Sequence, residues 1–163
     1  MIGMTASRAM ALEVDVQRAV VSADLPLDDQ LQAWATAAWQ APGQAAGVVI
    51  RIVDGEESRT LNQTYRHQDK ATNVLSFPYE VMPGAVVHHA GDLVICAPVI
   101  VQEAADQAKP LTAHWAHMVV HGMLHIQGFD HLDERQAERM ESLETKILES
   151  LGFPAPYATD ETQ

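Results

Sequence analysis

Cysteine is nearly absent from this chain. Cys96 stands alone, which excludes an internal disulfide and a cysteine zinc cluster. Positive charge is scarce as well: ten Lys and Arg face 22 Asp and Glu, a formal net charge of −12. So acidic a surface repels nucleic acid at long range and gains little from counterion release. Action on RNA therefore needs a local basic patch, a bound cation or a partner. No apolar run approaches the roughly 20 residues that span a bilayer. Arg8, Glu13, Asp15 and Arg18 interrupt the N-terminal stretch where a secretory signal would need its apolar core. Internal repeats and low-complexity linkers are missing too. What is there is a chain of 163 residues, 47% hydrophobic and 20% charged. That suffices for one domain with a real core and not for two comfortable ones. The expectation is a cytoplasmic protein without membrane contact, one domain over 1–163, with its core over about 10–152 and a loose tail over 153–163.

Periodicity supplies the elements. Leu12, Val14 and Val16 alternate with Glu13 and Asp15, a half-buried strand. Pro26 with Asp28 and Asp29 opens a helix whose apolar side carries Leu31, Trp34, Ala35, Ala38 and Trp39. After Pro42-Gly43, Val48 to Val53 reads as a second strand closed by Asp54-Gly55. A short helix is expected from about Glu56 to Tyr65, then a strand over Val74–Phe77 ended by Pro78. Met82 to Ala90 reads as a loop or hairpin tip, Leu93 to Cys96 as a fourth strand, and Pro98 as the first turn of the next helix. The longest helical signal runs from near Thr112 to Gln127, capped by Gly128. Ala137, Met140, Leu143, Ile147 and Leu151 keep a helical period to the stop at Gly152 and Pro154. The order β-α-β-α-β-β-α-α-α predicts an α+β domain: one mixed sheet of about four strands packed with about five helices.

The chemistry concentrates in His121-Gly122-Met123-Leu124-His125 and, past Gly128, His131. His121 and His125 are i and i+4 on a helix, so they share one face about 6 Å apart. Two imidazoles so placed can converge on one ion at about 2.1 Å each. His117 lies on the same stripe, but eight residues from His125 is about 12 Å along the axis, too far for both to reach one ion. The chain must leave the helix and return, and Gly128 permits the turn that brings His131 back. Three neutral imidazoles leave a fourth position open for water, the pattern of a catalytic zinc-like site at a helix C-terminal end. The spacing is also that of metzincin proteases, but those need Glu after the first His as general base, and here that position is Gly122. His114 and His117 read as packing or supporting residues, and His88 and His89 as solvated loop side chains.

A second stretch, Leu61 to Pro78, holds Arg66 and Lys70. Arg66 can clamp a phosphate bidentately or, alternatively, form a salt bridge to Asp69 or Glu57. The whole series of motifs resembles one family. Asn62 with Tyr65-Arg66, then Thr72-Asn73-Val74-Leu75-Ser76-Phe77-Pro78, then Gly91-Asp92-Leu93-Val94-Ile95-Cys96, then His121-Gly122, His125, Gly128 and Asp130-His131 occur in this order. This is similar to the YbeY family of bacterial endoribonucleases, over roughly Val48 to Leu151. One departure is Ala71, where the family usually has proline.

The resemblance implies a single-strand-specific, metal-dependent endoribonuclease that matures the 3′ end of 16S rRNA and takes part in ribosome quality control. It implies His121, His125 and His131 as zinc ligands and Arg66 as the functionally important arginine. Single-stranded rRNA and the small ribosomal subunit are the implied partners, with a ribosomal protein or an assembly GTPase beside them. Zinc or another divalent ion fits three imidazoles, and the sequence does not choose between activated water and the RNA 2′-hydroxyl as attacking group. The alternative is a zinc-stabilised ribosome assembly factor with little catalysis, which the acidic surface would suit.

Overall fold

Alternation of apolar and polar side chains sets the sheet. The computed structural model describes residues 12–41, 43–79 and 88–157. Strand β1 spans Leu12–Arg18, β2 Ala46–Val53, β3 Val74–Pro78 and β4 His88–Cys96. In β2, Ala46, Val48, Ile50 and Ile52 are buried on one face. The spatial order is β1-β2-β4-β3. The first three strands run parallel, and β3 is an antiparallel edge. Among the described residues five helices accompany this single mixed sheet, so the fold is α+β.

Each helix follows from local chemistry. Helix α1 (Asp28–Ala38) buries Leu31, Trp34, Ala35 and Ala38, and Arg18 ties its first turn to β1 through Asp28 at 2.6 Å. Helix α2 (Gly55–Arg66) starts where the Asp54 side chain accepts the Glu57 amide hydrogen at 2.9 Å. Helix α3 (Ala97–Asp106) carries proline in its first turn. Helix α4 (Leu111–Ile126) is buried almost all round, lying against α1, α3, α5, β3 and β4. Helix α5 (Glu134–Ser150) is capped by Asp133, whose carboxylate accepts the Gln136 amide hydrogen at 2.8 Å.

Two segments depart from the pattern read in the sequence. Residues His88–Ala90, expected in a loop, belong to β4, pairing with the start of β2 through a register shift at Gly47/Val48. Gly91 hides that strand because it interrupts the run of side chains while continuing the ladder. The rest of the expected loop, residues 82–87, lies outside the described residues. Beyond Gly152 the sequence has no periodic signal, yet Phe153 packs edge-to-face on Trp34 at 6.2 Å and the Tyr157 hydroxyl reaches the buried Glu144 carboxylate.

Gly122 governs how α4 meets the sheet. A Cβ there would stand 2.9 Å from Leu93 Cδ2 and 3.2 Å from Val74 Cγ2, both on strands beneath the helix. Leu93 is fully buried, so it has little room to yield. Gly122→Ala is therefore expected to destabilise the fold by about 1–3 kcal/mol. Gly55→Ala, whose Cβ would meet nothing within 4 Å, is the matched control. Urea unfolding of both variants beside the parent measures the difference.

Candidate metal centre

The last two turns of α4 and the loop after it build the centre. His121 and His125 project from one face with ring centroids 4.5 Å apart. Their Nε2 atoms stand 3.0 Å from each other. Gly128, at φ +100°, turns the chain after α4 in a conformation that a side chain would resist. The return brings the His131 ring to 5.2 Å from that of His125 and 6.0 Å from that of His121. Asp130 fixes this bend by accepting the His131 amide hydrogen at 2.7 Å. The three residues offer one nitrogen each within 4.8 Å of one another, a group that could hold a metal ion. Tetrahedral coordination at about 2.1 Å per bond requires nitrogens spaced on the order of 3.4 Å, within reach of this cluster.

A residue absent from the sequence reading organises the set. Glu144 of α5 is 0% exposed, and its carboxylate accepts from three sides. His121 Nδ1 lies 2.6 Å from Oε2, while His117 Nε2 at 3.0 Å and the Tyr157 hydroxyl at 2.6 Å share Oε1. Burial would push this carboxyl up, but the hydrogen bonds from His117, His121 and Tyr157 outweigh it and hold it down to about 2. Facing a carboxylate, His121 Nδ1 carries the proton, which leaves Nε2 as the lone-pair nitrogen on the side of His125. Burial first, then the neighbouring His121 and His131, lowers the His125 pKa and favours its neutral, ligating form. His117, His121 and Glu144 form a second group that could hold a metal, sharing His121 with the first. The signal for Glu144 was its position: it falls on the apolar stripe of α5, four residues after Met140 and three before Ile147.

Arg66, the last residue of α2, joins the same place from the opposite direction. A cavity of about 430 Å³ is lined by Arg66, Ser76, Asp130 and all three ligand candidates, His121, His125 and His131. The salt bridge considered for Arg66 does not form. Asp69 is held by Arg59 and Glu57 by Arg51, each at 2.6 Å. Arg66 instead donates to the Ser76 carbonyl at 2.9 Å and lies over the Phe77 ring at 5.0 Å. Its carboxylate competitors are thus absorbed elsewhere, and among the described residues none pairs with it.

The other histidines sort by burial. His114 is buried and bonds Glu103 through Nε2 at 2.8 Å; Glu103 also accepts from Asn73, which links α4 through α3 to the start of β3. His117 supports Glu144, as above. His89 is not in a loop but on β4, with Nε2 2.8 Å from Asp92. The side chain of His88 lies outside the described residues.

An α+β fold presenting three convergent imidazoles and an arginine in one cavity defines a candidate metallohydrolase of phosphate esters. Residues 18–152 match the family Endoribonuclease YbeY. The chain belongs to this family, hydrolases that cleave RNA internally in rRNA processing. Its fold is shared with the solution structure of TM1509 from Thermotoga maritima, at 22% identity and a TM-score of 0.60, over 85% of this chain and 88% of that one. No described helix is long and apolar enough to cross a membrane.

The hydrogen-bond network has a pH signature in metal-free protein. The folded state disfavours the proton on His125 and His114, in both cases chiefly through burial. Stability should therefore fall as pH drops below about 6.5, where the unfolded chain takes up those protons. Glu144, depressed in the fold, adds a second loss between pH 4.5 and about 2. Urea midpoints from pH 8 downward in the presence of chelator measure the first loss. In Glu144→Gln the part of the acid loss below pH 4.5 that Glu144 contributes should vanish, and metal affinity should drop by about 10–100-fold.

Proposed function

We propose that this chain is one metal-dependent hydrolase domain acting as a single-strand-specific endoribonuclease. Its role is maturation of the 16S rRNA 3′ end and ribosome quality control in the cytoplasm. His121, His125 and His131 hold the ion, a zinc-like divalent cation, and Arg66 is the catalytic contact to RNA. One observation carries this: three imidazole ligand candidates and a carboxylate-free arginine line the same open cavity.

The choice of ligand set follows from valence. Glu144 already accepts from His117, His121 and Tyr157, so its use as a ligand would break up a satisfied buried network. The Nε2 atoms of His121 and His125 face each other rather than a carboxylate, and both rings border the cavity with His131. A divalent ion bound there supplies Lewis acidity to a phosphodiester and its attacking group. Arg66, anchored on the Ser76 carbonyl and the face of Phe77, presents its remaining N–H groups to a non-bridging oxygen. There it offsets the charge that grows in the transition state. Glu144 holds His121 in the ligating tautomer, and the Gly128 turn holds His131 in reach. Docking on the small ribosomal subunit suits a surface of net charge −12, which complements basic ribosomal proteins. An assembly factor with a closed structural ion is the competing role, and the open cavity beside the imidazoles speaks against it.

Cleavage of labelled single-stranded rRNA fragments tests the proposal. Arg66→Ala is expected to slow cleavage by about 100–1,000-fold while the protein stays folded. The His121→Ala, His125→Ala double variant should bind no metal and cut nothing. Equal cutting by all three preparations would identify a contaminant and leave the proposal without support.

A further inference from the structure

The imidazole ligand candidates lie on the α4 side of edge strand β3. On its other side the molecule exposes aromatic rings that the metal chemistry does not use. Leu75 and Phe77 point away from α4 toward α2, in a small apolar cluster with Leu61 and Val94. Tyr65 of α2 meets Phe77 edge-to-face at 5.3 Å. Tyr79 continues past β3, its amide donating to Ala90, and stands against the His89 ring at 4.6 Å. Asp92 locks that second pair, accepting the Tyr79 hydroxyl at 2.8 Å and bonding His89 at 2.8 Å. The two tyrosines are 56% and 52% exposed. Two of the chain's three tyrosines are thus held by neighbours in fixed orientations and left open to solvent.

Arg66 joins the two sides. It stacks on Phe77, within the aromatic patch, and lines the cavity of the imidazoles. The patch is therefore continuous with the cleavage site. Any occupant reaching across β3 would pass Arg66.

We infer that Tyr65 and Tyr79 form a stacking platform for unpaired bases flanking the scissile phosphate. The inference rests on the ribonuclease proposal and extends it to the substrate's path. Three physical arguments select single-stranded RNA as occupant. A protein of charge −12 cannot hold a polyanion mainly by counterion release. Base–aromatic stacking is insensitive to net charge and needs bases splayed out of a helix. Paired RNA hides those faces, so the platform also supplies single-strand specificity. Rings restrained by Phe77 and Asp92 lose little entropy on binding, as preorganisation requires. Asp92 lies at the edge of the Tyr79 ring and repels phosphate there, which leaves base rather than backbone as the group to be bound.

The test uses the full chain with its metal and fluorescein-labelled single-stranded oligoribonucleotides of about 12 nucleotides, within the range that single-strand binders cover. One series carries bases throughout; a second has abasic sites flanking the scissile position. Tyr65→Ala, Tyr79→Ala should raise Kd and KM for the first series by about tenfold or more per ring, with kcat unchanged. Tyr65→Phe, Tyr79→Phe keeps both rings and loses only the Asp92 restraint on Tyr79, so it should retain most of the parent's affinity, which separates stacking from loss of fold. The abasic series should bind weakly to parent and variants alike. Fluorescence anisotropy reads binding even if no cleavage occurs, so failure of the ribonuclease proposal and failure of the platform are distinct results. Unchanged affinity of the folded Ala variant for the base-bearing series overturns the inference. So does an equal loss on both series. Self-association at high concentration that the Ala variant abolishes would assign the patch to a second copy and overturn it as well.

Discussion

The distance between α4 and the sheet depends on the missing Cβ of Gly122. Leu93 and Val74 occupy the space that any side chain would need. Because α4 sits this low, Ser76 comes within reach of the Gly122 carbonyl, 3.4 Å from its hydroxyl, and β3 becomes a wall of the cavity. Arg66 is anchored to that wall through the Ser76 carbonyl. A helix standing farther off would carry His121 and His125 away from Arg66. The glycine that deprives the motif of a protease's general base is thus the residue that brings the ligand candidates and the arginine together. In the protease pattern a carboxylate follows the first histidine; here the same position faces the sheet and has no room for one.

The second constraint is the buried charge on Glu144. An ionised carboxylate removed from water is costly unless it is paired and hydrogen-bonded. Here His117, His121 and Tyr157 supply donors, and they come from one helix, α4, and the segment after α5. The requirement to satisfy one charge therefore draws Tyr157 inward and ties α4 to α5. It also fixes the His121 ring. Stability and ligand geometry share one network, so a change at Glu144 acts on both.

How much of this was legible in the sequence follows from the range of each interaction. The i, i+4 pair His121 and His125 and the left-handed Gly128 are local, and helix geometry alone brings them together. The element order was readable for the same reason, because the period of two or of 3.6 is a local property. Arg66 could be singled out but not decided, since its competitors Asp69 and Glu57 are claimed by Arg59 and Arg51 only in the folded chain. Glu144 was illegible as a partner of His121 at a separation of 23 residues, although a charged residue between Met140 and Ile147 on an apolar stripe is a local oddity that marks it. His88–Ala90 escaped because strand pairing there depends on β2, far away in sequence, and Gly91 breaks the alternation. Gly91 is itself required: a Cβ there would stand 2.7 Å from the Phe77 carbonyl oxygen.

These constraints bear on the apparent conflict between an acidic protein and an RNA substrate. Long-range attraction is not available, so encounter has to be driven by partners or by contact-range forces. At contact range the balance changes. The ligand candidates are imidazoles, and the nearest buried carboxylate has its lone pairs turned toward His117, His121 and Tyr157 rather than toward the cavity. Arg66 is without a carboxylate partner among the described residues, since Arg59 holds Asp69 and Arg51 holds Glu57, while Asp130 lines the cavity beside it. A divalent ion bound among the imidazoles would supply local positive charge there. An enzyme built this way would be a poor binder of RNA at large and a competent one for a single strand already delivered to its edge strand.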